Sequence, residues 1–136
     1  MKKYQILGTT ADIKLRVKAN SLEQLFEQAA LGMMEILGAE IKDTEKLRNK
    51  EIEIRSSNIN SLLIDFLNEI LYRVGVDKEV YNDFEVKIRN NIELICRAKA
   101  TSFERLDLEI KAATYSDLKI EKDKNGKWQV EVLFDI

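Results

Sequence analysis

The chain has 136 residues, of which 45% are hydrophobic and 34% are charged, and its formal net charge is −2. This balance predicts one globular domain over residues 1–136 and argues against a general nucleic-acid binder, which would be strongly basic. The chain has no histidine, which excludes Ser-His-Asp and Cys-His catalysis, and its single Cys96 excludes an internal disulfide or a thiolate zinc cluster. A metal would meet only oxygen ligands, which suit calcium, magnesium or manganese.

Two strands are predicted at the N-terminal end. Residues 1–7 have a strand-like pattern and lack the apolar stretch of a signal peptide, so we expect a cytoplasmic protein without a membrane partner. In residues 11–19 apolar side chains alternate with charged ones, which predicts a strand with one buried and one charged face. The charged positions are Asp12, Lys14, Arg16 and Lys18.

A helix and a loop follow. Ser21–Gln24 has the form of a capping box, apolar residues then recur at helical spacing, and Gly38 can end the helix. The polar segment 39–50 predicts a loop, and residues 51–55 alternate like a short strand.

A second helix is predicted to begin near Asn60 or Ser61 and to end at Gly75, and the rest of the chain predicts strands. Asn90-Asn91 and Asn125-Gly126 are typical of hairpin turns between them. The order β-β-α-β-α followed by strands predicts an α+β fold, with two helices packed on one face of a mixed, mostly antiparallel sheet.

The last strand ends in Asp135, and Ile136 adds the carboxylate of the chain terminus in this sequence. Two anionic groups held side by side favour a cation as their partner. Solvated terminal acids are the commoner arrangement, so the spacing alone leaves both interpretations open.

Three stretches together resemble the archease family. They are Thr10–Ile13 with Ser21–Ala30, then Ser61–Tyr72, and finally Ile110–Ser116 with the closing Phe134–Ile136. Each stretch alone is weak, because amphipathic helices are common, but their order and spacing extend from near residue 4 to the last residue.

The resemblance implies an accessory protein that activates a GTP-dependent RNA ligase in tRNA splicing and RNA repair. Such proteins help the ligase to become guanylylated and to turn over repeatedly, are not ligases themselves, and meet tRNA indirectly, through the ligase. The chain is therefore expected to be non-catalytic. Its five isolated glycines, which form no phosphate-binding loop, agree with that expectation.

The resemblance also implies an acidic site for a divalent metal ion. Asp12, Asp135 and Ile136 match its ligands, with calcium as the first expectation and magnesium or manganese as alternatives. Two positions depart from the family pattern, because Gly8 and Thr9 stand where an Asp-His pair is usual. The site therefore has fewer acids than the family pattern.

Four residues are predicted to bind the ligase: Asp65, Asn68 and Glu69 on the second helix, and Lys111 in the third stretch. The alternative for the two acids is a solvated helix face, which is the commoner case. The basic residues at 14, 16 and 18 could meet RNA phosphate or an acidic surface of the ligase, although a solvent-facing strand is the simpler explanation.

Two other functions stay open on the sequence. One is a chaperone-like protein-interaction module without metal dependence, which would suppress the aggregation of unrelated clients. The other is a small metal-dependent phosphoesterase, which the missing histidine and phosphate loop make the weakest of the three.

Overall fold

Two antiparallel sheets and two helices form the described part of the chain. The computed structural model describes residues 3–8, 11–42 and 47–136, so Thr9, Thr10 and the middle of the predicted loop lie outside the described residues. In chain order the elements are β1 (Tyr4–Gly8), β2 (Asp12–Ala19), α1 (Leu22–Leu37), β3 (Ala39–Ile41), β4 (Arg48–Arg55), α2 (Ile59–Asp77), β5 (Glu79–Arg89), β6 (Glu93–Leu106), β7 (Ala112–Thr114), β8 (Glu121–Lys122) and β9 (Trp128–Asp135).

The strands divide between two sheets. Sheet I has the order β1-β2-β9-β7, with β8 beside the start of β9. In sheet II the long strand β6 pairs with β4 along one edge and with β5 along the other, and β3 pairs with its last residues. All of these pairings are antiparallel. The α+β class with two helices is confirmed, whereas the single sheet expected from the sequence is in fact two.

The helices pack against both sheets. Helix α1 contacts β1, β2 and β9 of sheet I and β5 of sheet II, while α2 contacts β7 on one side and β4 and β5 on the other. The side chains of Phe26 and Phe66 join the helices, with their rings tilted by 30° and the centroids 6.1 Å apart, and Phe84 of β5 meets Phe66 edge-on at 6.5 Å. Burial against two sheets explains why the apolar residues of each helix cover more than one face.

Helix α1 begins and ends as the sequence predicts. Ser21 is the N-cap, and its hydroxyl accepts a hydrogen bond from the Gln24 amide; Gly38 ends the helix in the left-handed region at φ 57°. Gly32 lets α1 approach sheet I closely, because a Cβ there would lie 2.7 Å from a methyl group of Leu15.

Helix α2 is longer than predicted. It runs from the N-cap Asn58 to Lys78, which ends it in the left-handed region at φ 56°, so the helix continues past Gly75. The predicted loop at 39–50 contains β3 and the first three residues of β4. The polar sequence of Arg48-Asn49-Lys50 concealed this strand, because pairing with β6 rather than apolar alternation places them in it.

Candidate functional site: the paired aspartates of sheet I

Strands β2 and β9 place the two predicted acids opposite each other. Their antiparallel register pairs Asp12 with Asp135 at one end and Ala19 with Trp128 at the other. Residues directly opposite in antiparallel strands point to the same face, with Cβ atoms about 4.5–5.5 Å apart. The expectation that the opening and closing strands meet is therefore confirmed. Asp12 is half-buried and Asp135 is exposed, so both lie on the outer face of sheet I.

Strand β7 holds Asp135 from the other side. Ala112 is its register partner, and the Lys111 amide donates a hydrogen bond to the Asp135 carbonyl at 2.8 Å. The Lys111 side chain is exposed, whereas Ile136 is half-buried and packs against the core. One corner of sheet I thus brings together the predicted residues Asp12, Asp135, Ile136 and Lys111. We call it the aspartate corner.

A groove of about 370 Å³ runs along the outer face from this corner. Asp117 belongs to its lining, and the sequence analysis missed this residue. Asp117 adopts φ 54° in the turn after β7, and the available signal was its position directly after the third family stretch. The lining residues are Leu7, Asp12, Lys14, Ser116, Asp117, Glu131 and Leu133.

Ion pairs occupy the middle of the same face. Glu131 of β9 contacts the guanidinium of Arg16 and, at 3.6 Å, the ammonium of Lys14. The hydrogen bond from Arg16 and the charge of Lys14 lower the pKa of Glu131. Lys18 pairs with Asp123 at 3.4 Å. The three basic residues of β2 therefore lie against carboxylates of this chain.

Asp65 and Asn68 of α2 connect the helix to the chain around β7. Asp65 accepts hydrogen bonds from the hydroxyls of Ser56 and Tyr115, the latter at 3.1 Å. The Asn68 amide donates to the carbonyl of Ala113 at 3.1 Å and accepts from its N–H at 2.8 Å, as a neighbouring strand would. These two side chains fix the position of β7 and hence one border of the aspartate corner.

Glu69 has a partner on its own helix. Its carboxylate pairs with Arg73 one turn later at 2.8 Å, and Arg73 also donates to the carbonyl of Glu51 on β4 at 3.0 Å. Asp65, Asn68 and Glu69 thus all have contacts within the chain, which the sequence could not reveal because helical spacing does not show what covers a face. Their binding of a ligase stays a prediction.

The donors at the corner are of the type that hard divalent cations prefer. Asp12 and Asp135 offer carboxylate oxygens, whereas Cys96 is buried and burial raises the pKa of its thiol to about 12, so it is no competing ligand. Within residues 3–8, 11–42 and 47–136 no three His, Cys, Asp or Glu side chains are grouped as a metal site. Two side-chain carboxylates therefore form the core of this donor set.

The fold and the corner together define an α+β protein with two helices between antiparallel sheets and paired carboxylates at a strand end. The Archease protein family (MTH1598/TM1083) matches residues 4–136. Protein archease of Methanosarcina barkeri is 40% identical over 147 residues, covering 99% of this chain and 97% of its own length. Protein archease of Pyrococcus abyssi is 35% identical over 144 residues, covering 100% of both chains.

Two solved structures have the same fold. The solution structure of Methanobacterium thermoautotrophicum protein 1598 is 29% identical, with a TM-score of 0.70 and complete coverage of both chains. The crystal structure of a Thermotoga maritima archease, described as a possible chaperone, is 23% identical with a TM-score of 0.69, covering 97% of this chain and 96% of that one. The chain belongs to the archease family. Neither described helix is long and apolar enough to cross a membrane.

Proposed function

We propose that this protein activates a GTP-dependent RNA ligase in tRNA splicing and RNA repair, and that the aspartate corner is its working site. The observation that carries the proposal is the register of β2 and β9, which pairs Asp12 with Asp135 on an exposed face. The two side chains offer carboxylate oxygens on the same face, and oxygen donors are the ligands that hard cations prefer. The ligase is proposed as the partner because the resemblance to the archease family implies it.

The ligand is a divalent cation held by the carboxylates of Asp12 and Asp135 and by a main-chain oxygen of Ile136. Calcium is our first choice, with magnesium and manganese as alternatives, because all three favour oxygen ligands. Calcium takes six to eight oxygens, so these three residues leave positions for water or for a group of the ligase. A bound cation would supply positive charge next to phosphate oxygens.

The contact with the ligase centres on Lys111. Its side chain is exposed, and its amide is fixed to Asp135, so one partner surface can cover both residues. Asp65, Asn68 and Glu69 complete the predicted partner set. Given their internal contacts, Asp65 and Asn68 act by holding β7 in place. The protein promotes guanylylation and repeated turnover without catalysing a step, and the ligase brings tRNA close to it. Its cytoplasmic location stays a prediction.

The experiment uses purified ligase, labelled GTP and broken RNA, with the protein at a substoichiometric ratio. We expect more guanylylated ligase and more than one ligation per ligase molecule. Asp135→Asn should reduce the stimulation about tenfold or more, because it removes one of the few charged donors. Glu53→Gln, an exposed acid on the outer face of sheet II, is the matched control and should stimulate fully.

Two results would contradict the proposal separately. A wild-type protein that leaves guanylylation and turnover unchanged would refute the activator function. A folded Asp135→Asn variant with full stimulation would refute the aspartate corner while leaving the function intact.

A chaperone-like interaction module is the second candidate, and one observation favours it. Ile41 and Leu47 are 47% and 50% exposed and line a groove of about 580 Å³ with Met34 and Val80. Exposed apolar grooves are typical of protein-binding surfaces. This function predicts that the protein suppresses aggregation of unrelated clients in EDTA, and that Leu47→Ser weakens the effect while Asp135→Asn does not.

A further inference from the structure

A basic groove lies at the opposite end of the outer face of sheet I. It has a volume of about 620 Å³, and its described lining contains four basic residues and no acidic residue. Lys18 lies six residues after Asp12 along β2, so the groove is about 20 Å from the aspartate corner. The lining residues are Lys3, Tyr4, Gln5, Arg16, Lys18, Ala19 and Lys127.

Two of the four cations are neutralised and two are not. Arg16 and Lys18 pair with Glu131 and Asp123. Lys3 and Lys127 instead donate to the neutral amide oxygens of Gln24 at 3.2 Å and Asn20 at 3.1 Å. No carboxylate of the described ranges forms a salt bridge with either of these lysines. The groove therefore carries two uncompensated charges, although the whole chain is slightly negative.

The surrounding structure adds to the positive potential. The oxygens that hold Lys3 and Lys127 belong to Gln24, in the first turn of α1, and to Asn20, just before its N-cap. A helix N-terminus carries a partial positive charge, which here adjoins the groove and is partly offset by Glu23 in the same first turn.

We propose that this groove binds the phosphate backbone of an RNA strand. Lysine ammonium groups act as point charges that bind phosphate, and a groove lined by several of them suits a polymer with a charge at every repeat. The choice of RNA among such polymers rests on the proposed function. A strand bound here leaves the aspartate corner open to a cation and to the ligase.

The test measures fluorescence anisotropy of a labelled single-stranded RNA with the protein alone in EDTA, over a range of salt concentrations. We expect Lys3→Gln/Lys127→Gln to bind about tenfold more weakly. Each lost phosphate contact lowers the salt slope by about 0.7, so the double variant should lose about 1.4. Lys87→Gln/Lys99→Gln removes two exposed lysines from sheet II and should bind like the wild type.

Three outcomes would overturn the inference. They are no binding by the wild type at low salt, an equal loss in the sheet II control, and displacement of RNA by poly-glutamate at matched charge, which would assign the groove to an acidic protein. Thermal melting establishes that the variants are folded. The single variant Lys127→Gln should lower the salt slope by half as much as the double variant. The assay contains neither ligase nor divalent cation, so its failure is distinct from failure of the activator function.

Discussion

Glu79 and the aspartate corner are two acidic regions that differ in burial and in the charge of their neighbours. Glu79, at the start of β5, is only 3% exposed and lies between Arg48 and Lys50 of β4. The Lys50 ammonium is 3.3 Å from its carboxylate, and the Arg48 contact is an ion pair rather than an aligned hydrogen bond. Asp12 and Asp135 instead face each other at the surface. A buried acid that meets cations holds the fold, whereas surface acids that meet each other can hold a ligand.

The largest expected effect is a loss of stability when the buried Glu79 loses its ion pairs. Arg48→Ala/Lys50→Ala should lower the free energy of unfolding by about 2–4 kcal/mol, because it leaves the buried Glu79 carboxylate without its two cations. Urea unfolding would measure the loss, with Glu53→Ala as a surface control expected to change by at most about 0.5 kcal/mol. A loss below about 1 kcal/mol would show that water solvates Glu79 adequately without the two cations.

The Asn68→Ala substitution tests whether helix α2 holds strand β7, and with it the aspartate corner, in place. Asn68→Ala should cost about 2 kcal/mol, because the buried Ala113 would lose both backbone partners that the amide supplies. Hydrogen exchange provides the specific readout: the Ala113 amide should exchange faster, while the amide of Leu15 in β2 keeps its protection. Unchanged protection at Ala113 would mean that pairing with β9 alone fixes β7.

Asp135→Asn tests the surface member of the comparison. In EDTA it should stabilise the protein by a few tenths of a kcal/mol, because one of two facing charges is removed. With calcium the order should reverse, since a cation that binds the folded state raises the melting temperature of the wild type. Thermal melts with and without calcium measure both effects. Equal calcium shifts in the two proteins would place the cation elsewhere.

Glu27 of α1 is an acid between these two cases in its surroundings, and its replacement should have the smallest effect on stability. Burial raises the pKa of its carboxyl, although the Val86 amide donates to it at 2.8 Å. Because the pKa of Glu27 is higher in the folded than in the unfolded protein, its contribution to stability is complete below the pKa of the unfolded state. That contribution is lost as the pH rises through the pKa of the folded state. Glu27→Gln should therefore be more stable at pH 7 by less than about 1 kcal/mol, with no gain near pH 4. A gain of equal size at both pH values in urea unfolding would assign the effect to packing.

Local signals predicted the elements that local physics controls. The capping box at Ser21 and the glycine at 38 set the bounds of α1, and Asn90-Asn91 adopts positive φ angles at both residues, as a tight hairpin requires. Short or polar segments were missed. The three residues of β3 give too little pattern, and β4 begins with the polar residues Arg48, Asn49 and Lys50.

The sequence by itself determined which residues of β2 and β9 face outward, because alternation fixes the two faces of a strand. It thereby placed Asp12 and Asp135 on exposed faces. Only the tertiary structure decided that these residues are opposite each other, that the helices lie between two sheets, and that Asn68 turns towards β7. Register and partner choice depend on contacts between residues distant in the chain, and the periodicity of a single segment carries no information about them.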